Sequence, residues 1–546
     1  MRSGSTRMVS LVTLVGCGAL FGATASQGDA GNATELGKRT WSHVQVLAAD
    51  DMQGRRAGSD GYQRAALYVT EQFRQAGLVP SAANGFLDRV DLIERQIDET
   101  HSSLALIERG QVLPLRLGED GIFNLRGKPD QHIEAPLVFA GYGLRIPALG
   151  IDDLKGLDLK GKVVVAFLAA PTDIAGAMQA HFGSPPERWK VYRAAGAVGV
   201  AYIPNPFSMD LPWERVARAR LEPFMALADA SFDEFAGQKV WITVNPARAE
   251  KFFDGAPSAY AEVLTLLKAG KSLPHFDLPR SLRAKVTART EHKRADNVVG
   301  LLRGSDARLR NECVVVSAHL DHLGTASTPD GDRIFNGAMD NAAGVAGLIE
   351  VARRLNTAPE RMKRSIVFLA ATAEEMGHLG SRAYAKRAVT GEMRTVANVN
   401  SDMFLPLFPL KQLIVFGLEE SDLGADVRAV AAALGIEVQP DPEPLRNRFI
   451  RSDQYSFVRL GIPAVALKTG FRLGSPEQGI EQQWFAERYH APSDDLNQPV
   501  DLTAMGQYVE LMSNLLVRVA NREDPPAWAA NSFFATLTTR KSPASD

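Results

Sequence analysis

In the stretch "SAHLDHLG", Ser317 to Gly324, two histidines and an aspartate follow an apolar run. Further along, Asp340 follows "FNGAM", Glu374 and Glu375 follow "SIVFLAAT", Asp402 closes "VANVNSD" and His490 sits in "ERYHAPSDD". Each alone is an ordinary polar residue at a strand end or helix start. Together they pose an electrostatic problem, because carboxylates converging on one rim repel one another unless cations neutralise them. Hard carboxylates with imidazoles and no paired cysteine suit Zn²⁺ or another first-row divalent ion. Five ligand candidates, His319, Asp340, one of the Glu pair, Asp402 and His490, exceed what a three-ligand catalytic zinc needs. Two metals bridged by a carboxylate fit better, and such pairs activate water on amide and phosphate substrates.

The same chemistry divides the roles. A general base must keep an oxygen off the metal, so one of Glu374 and Glu375 ligates while the other holds the water. Asp321, two residues after His319, projects to the same side of a strand and is expected to accept the imidazole's second N–H. His322 has no evident role and reads as a bystander. Asp494 either orients His490 or caps the next helix.

The elements that must position these groups are those of an α/β fold. From "DNVVGLLRG" onward, runs apolar on both faces, "CVVVSAHLD", "SIVFLAAT", "VANVNSDM", "KQLIVFGL" and "IPAVALKTG", alternate with helical segments over 341–355, 423–434 and 502–519. That alternation predicts a mostly parallel or mixed central sheet flanked by helices on both faces. In such sheets ligands bind outside the carboxyl ends of the strands, which is where the candidate residues fall. An amphipathic helix over 61–76 follows a Gly/Arg-rich loop and stops at Gly77. Between 136 and 285 the texture changes to short β-type runs such as "PLVFAGYGL", "KVVVAFLAA" and "VGVAYIP", the mark of a β-rich insertion. The expected organisation is a signal peptide over 1–25, an N-terminal part over 33–135, the insertion over 136–285, the catalytic core over 290–522 and a loose tail over 523–546.

With 546 residues, 45% of them hydrophobic, 23% charged and a formal net charge of −2, the chain reads as an ordinary soluble globular protein. Its charge offers no long-range attraction to nucleic acid or an anionic membrane. Arg2 and Arg7 precede a small-residue apolar stretch, too short and Gly/Ala-rich for a membrane span, that predicts export to the periplasm or beyond. Ala23-Thr24-Ala25 offers one cleavage site, and Leu14-Val15-Gly16-Cys17 offers a lipidation site that would anchor the chain at Cys17. Cys313 is left without an intramolecular partner, so no disulfide scaffold is expected.

These motifs, in this order, resemble the M28 family of zinc-dependent metallopeptidases. "LAADDMQGRRAGSDGYQRAALYVTEQFRQAGLVP", "DNVVGLLRGSD", "SAHLDHLG", "NGAMDNAAGVAGLIEVAR", "ATAEEMGHLGS", "NVNSDM", "SDQYSF" and "YHAPSDD" are similar to the family's successive motifs. The resemblance implies a zinc-exopeptidase-like sandwich and a secreted aminopeptidase holding two zinc ions and acting on peptides with a free N-terminus. It places His319 and Asp402 on one zinc, Glu375 and His490 on the other, and Asp340 between them. Glu374 becomes the general base, Asp321 the partner of His319, and Tyr489 a group that helps stabilise the oxyanion. It also implies a cis bond between Asp340 and Asn341. The insertion is similar to the protease-associated domain found within some members, with a lid or spacer as the simpler role. Two positions depart from the pattern: Met339 stands where many relatives have Asp, and Gln454 stands where His is frequent.

Three alternatives stay open. A carboxypeptidase of the same family would need a cationic pocket, for which Arg446, Arg448 and Arg451 are candidates. A glutaminyl cyclase would use one zinc on related architecture. A receptor-like ectodomain would use none. Oligomeric state and side-chain preference are not encoded legibly.

Overall fold

The computed structural model describes residues 27–537 apart from 83–84, 175, 210, 327–330, 359–360 and 447. Residues 1–26, with the expected export segment and Cys17, therefore lie outside the described residues. The strands of the principal sheet are β1 (Leu87–Ile97), β2 (Phe224–Leu227), β3 (Ala288–Leu302), β4 (Glu312–His319), β5 (Ser365–Ala371), β6 (Arg394–Asn400), β7 (Gln412–Phe416), β8 (Glu437–Gln439) and β9 (Ala464–Gly470). They lie in the order β2-β1-β3-β5-β4-β6-β9-β7-β8, and a two-residue strand, Val79–Pro80, pairs with β3 as well. The middle four, β5-β4-β6-β9, are parallel, and β3 and β7 join them antiparallel on either side. The mixed α/β architecture expected from the alternating runs is thus present.

Why the runs are apolar on both faces follows from the packing. Val314, Val316 and Ala318 of β4 point into one core with Ile366, Phe368 and Ala370 of β5. The intervening Cys313 and Val315 point into another with Val367 and Leu369. Helices α1 (Gln27–Leu47), α2 (Asp60–Gln75), α3 (Ala343–Asn356) and, near the C-terminus, α6 (Leu502–Ala520) cover the first face, while α4 (Leu379–Thr390) covers the second. Helix α5 (Pro476–Glu487) precedes the His490 loop. Cys313 is buried and free, as expected.

A second, eight-stranded sheet has its own core. Its first strand is Ser103–Glu108, so this layer begins well before position 136. The earlier boundary has a physical cause: Ser103–Glu108 pairs with Phe276–Lys285, and the chain enters and leaves the second layer through adjoining strands that continue into β1 and β3. The layer is also not a clean insertion, because β2, drawn from its interior, pairs with β1 of the principal sheet.

The C-terminal segment corrects another expectation. Residues 523–537 are docked: Phe534 is fully buried beside Phe449 and Trp528, and Trp528 donates its indole N–H to the Gly461 carbonyl at 2.9 Å. A Ser/Pro/Asn-rich composition hid the aromatic anchors Trp528, Phe533 and Phe534, and residues 538–546 lie outside the described residues. Phe534→Ala is expected to lower the unfolding free energy by about 3 kcal/mol, as large-to-small core changes do, with urea titration as the measurement.

Candidate metal centre

The carboxyl ends of β4, β5 and β6 lie side by side, and each delivers one part of the site. His319 ends β4. Its Nδ1–H donates to the Asp321 backbone carbonyl at 3.0 Å, which leaves Nε2 facing Asp402 Oδ1 at 3.2 Å and Asp340 Oδ1 at 3.3 Å. The partner of His319 is therefore the Asp321 carbonyl, not its carboxylate as the sequence suggested. The strand ends at His319, so the two-residue alternation no longer governs where the Asp321 side chain points. That carboxylate instead accepts the backbone N–H of Glu374 at 3.0 Å and of Glu375 at 3.4 Å.

The glutamate pair sits in a turn between β5 and α4, not at a helix start, with Ala373 at a positive φ of 52°. Glu375 Oε2 lies 3.2 Å from His490 Nε2, and Glu375 Oε1 accepts from His322 Nδ1 at 2.7 Å. His322 is consequently no bystander. It is fully buried, it touches the acidic group, and its Nε2 has no partner among the described residues. Sequence reading missed it because one histidine had already been used at the strand end.

Asp340 stands between the two groups. Oδ1 faces His319, and Oδ2 faces His490 Nε2 at 3.3 Å and His322 Nδ1 at 4.0 Å. The Asp340-Asn341 peptide bond is cis, as the family resemblance implied. Asp494 neither orients His490 nor caps a helix. Its carboxylate accepts the backbone N–H groups of Met339 and Asp340, each at 3.0 Å. Met339 contributes only that N–H, its side chain being buried in the core. Asn341 donates to the Ser401 carbonyl at 2.9 Å, tying the Asp340 turn to the Asp402 turn. Only glycine fits at 344, where a β-carbon would come within 2.2 Å of Asn341 Oδ1 and 2.6 Å of the Ser401 carbonyl. Gln454 is buried, donating to the Phe449 carbonyl and accepting from Asn400.

A residue the sequence did not single out braces the whole arrangement. Arg55, from the Gly/Arg-rich loop before α2, is fully buried and donates to four backbone carbonyls: Leu47, Leu320, Asn336 and Gly337. It thereby joins the turn after His319 to the turn before Asp340. The signal available was a run of arginine among glycines beside an apolar helix, which by itself also fits a solvated loop.

Electrostatics set what can bind. Burial disfavours charge on His319, but Asp402 and Glu374 outweigh it and raise its pKa well above the ordinary value. Burial likewise opposes the ionised form of Glu375, yet His490 and His322 hold its pKa down to about 2. Asp340 is held well below the usual range because hydrogen bonds from His319 and His490 overcome its burial. Glu374 goes the other way: burial is the largest influence and pushes it well above the carboxylate range. His319, Asp340 and Asp402 can converge on one ion, and Asp340 and Glu375 with a histidine on a second. Carboxylate and imidazole donors at these separations suit a first-row divalent metal.

Two cavities meet here. One of about 320 Å³ contains His319, Asp340, Asp402 and His490 in its wall. The other, of about 1010 Å³, runs under the second layer, and Glu374, Glu375 and Tyr489 line both. The Tyr489 ring stacks on His490 with centroids 4.0 Å apart.

An α/β sheet whose parallel strands present imidazoles and carboxylates at adjoining carboxyl ends is a scaffold suited to a metal centre. Residues 297–516 match the model of Peptidase family M28. The probable lipoprotein aminopeptidase LpqL of Mycobacterium tuberculosis is 29% identical over 245 residues, covering 41% of this chain and 45% of that protein. Aminopeptidase YwaD of Bacillus subtilis is 25% identical over 236 residues, covering 42% and 46% respectively. The chain thus spans less than half the length of these curated relatives. The fold is that of the aminopeptidase from Aneurinibacillus sp. strain AM-1, with a TM-score of 0.53 over 91% of this chain and 97% of that one at 20% identity.

Arg55→Met keeps side-chain bulk but leaves four buried carbonyls without their donor. It is expected to cost about 3 kcal/mol of unfolding free energy or more and to weaken metal retention, read by urea titration and elemental analysis of the same preparations.

Proposed function

We propose that the chain is an exported two-zinc aminopeptidase that removes single residues from the free N-terminus of peptides, with Glu374 as general base. The observation that best supports this reading is Asp340, whose two oxygens face two separate donor groups. His319 and Asp402 would hold one zinc, His490 and Glu375 the other, and Asp340 would bridge them. Zinc there would polarise the scissile carbonyl and lower the pKa of water from ~15.7 toward ~7.

The protein's own groups account for the rest. Glu374 lies outside ion-pair distance of His319 and His490, and its carboxylate is 3.4 Å from His378 Nε2. Burial keeps that imidazole neutral by lowering its pKa to about 3. Once a bound cation offsets the burial and neighbouring carboxylates that raise it, ionised Glu374 would take a proton from the attacking water and return it to the leaving amine. Asp321 fixes it through the backbone, and Tyr489, stacked beside His490, would donate to the developing oxyanion. The smaller cavity takes the first residue and the larger cleft takes the remainder of the peptide. The second layer, similar to a protease-associated domain, roofs that cleft.

Of the three candidate arginines for a carboxypeptidase, Arg446 and Arg448 both pair with Glu443, at 3.3 and 2.8 Å, which weakens that alternative, while Arg451 lines both cavities. The cyclase alternative leaves the second donor group without a purpose. Export rests on the N-terminal segment. Among the described residues no helix is long and apolar enough to cross a membrane.

Glu374→Gln is expected to retain two zinc ions and its unfolding midpoint while kcat falls ~10³-fold, within the range for loss of a general base. Turnover near the wild-type rate removes the assignment. Asp340→Ala and His490→Ala should lose zinc, and two full equivalents by elemental analysis in both would overturn the ligand set. Free-amine and N-acetylated tripeptides, assayed before chelation, after it and after zinc is restored, test the reaction: zinc-restored release of the first residue from the free-amine peptides alone is the expected result.

A further inference from the structure

The cleft of about 1010 Å³ is bounded on one side by the turn carrying Glu374 and Glu375 and on the other by the second layer. Most of its cations are already engaged. Arg382 pairs with Glu234 at 2.9 Å, Arg459 pairs with the same carboxylate, and Arg188 donates to the carbonyls of Phe167 and Ala169. These contacts also fix the roof against the core, since Glu234 belongs to the second layer and Arg382 and Arg459 to the first.

Arg126 differs. It follows the short strand Gly121–Phe123 of the second sheet, and its backbone is held firmly: its N–H donates to Asn124 Oδ1 at 3.0 Å and its carbonyl accepts from Arg95 at 3.1 Å. Its guanidinium nevertheless makes no hydrogen bond or ion pair among the described residues. It lies over Gly377, three residues past Glu374, with Cζ 3.6 Å from where a β-carbon of residue 377 would sit. The acidic charges that act on it are Glu374 and Glu234. A cation anchored by its backbone, lining the cleft and without a carboxylate in ion-pair contact is only partly compensated until an anion arrives. A guanidinium meets a carboxylate through two parallel N–H···O bonds, which gives that anion both energy and orientation.

We propose that Arg126 recognises an anion on the leaving portion of the substrate, a carboxylate one or two residues beyond the scissile bond, so that the preferred substrates are short or acidic peptides. The inference rests on the aminopeptidase reading for which side of the bond the cleft serves. The second layer on this view contributes a binding residue as well as a roof. Two sources carry the same chemistry, the C-terminal carboxylate of a di- or tripeptide and an acidic side chain.

The experiment compares three dipeptide substrates sharing one first residue X, namely X-Ala, X-Ala-amide and X-Asp-amide, on the wild-type chain, Arg126→Ala and Arg126→Lys. In the wild type at least one anionic peptide should exceed X-Ala-amide by about tenfold in kcat/KM, chiefly through KM, as expected for one charge-assisted hydrogen-bonded contact. Preference for X-Ala identifies the C-terminal carboxylate, and preference for X-Asp-amide identifies the side chain. Arg126→Ala should bring the ratio close to one, and Arg126→Lys should keep part of it. A wild-type ratio near one, or the same ratio in Arg126→Ala, overturns the inference and leaves the aminopeptidase standing. If no peptide is cleaved, it is the aminopeptidase reading that falls, and calorimetric titration of the same proteins with the same peptides reads the ratio in Kd and decides the role of Arg126 by the same criteria. Arg126→Met, closer in side-chain volume, replaces Arg126→Ala should that chain not fold.

Discussion

Asp340, Glu374, Glu375 and Asp402 are brought together in a largely buried space, and their mutual repulsion is the constraint around which the neighbouring structure is arranged. Imidazoles and a bound cation can offset that repulsion only if the carboxylates are prevented from turning away. Side chains that touch no ion do this work. Asp321 and Asp494 grip the backbone N–H groups of the Glu374 and Asp340 turns, and Arg55 draws four carbonyls from the facing turns together. The acidic groups are thus held by their backbones, leaving their oxygens for a metal.

The same arrangement explains why Glu374 and Glu375, adjacent in sequence, differ so much in character. Glu375 faces His322 and His490 and stays ionised. Glu374 is pushed well above the carboxylate range, first by burial and then by the charges of Asp402, Asp453 and Glu375. One turn therefore presents two adjacent carboxyl groups of opposite protonation tendency. The second layer faces this pair across the larger cleft, and Glu234 of that layer pairs with Arg382 and Arg459 of the first.

Much of the principal domain was legible in the chain. The apolar runs ending at His319, Ala371 and Asn400 became parallel strands, because full burial on both faces demands uninterrupted aliphatic residues. Those strand ends pointed to the site by the general rule for open α/β sheets. The second layer was read less well, since its first strands, Ser103–Glu108 and Gln111–Leu115, carry polar and exposed positions that do not stand out from the segment before them. The docked aromatics at 528–534 were masked by the polar residues around them.

The residue types and their order determined that a cation would be needed and which side chains were available to hold it, because charge and donor chemistry are local properties. Which histidine faces which carboxylate was decided by the tertiary structure alone. His322 meets Glu375 because the chain turns after His319, and that turn is set by Arg55 some 265 positions earlier in the chain. Arg126 reaches the turn beyond Glu374 only because the second layer packs against the first, where Glu234 pairs with Arg382. Contacts of that kind depend on the path of the backbone between distant elements, which no spacing within a motif records.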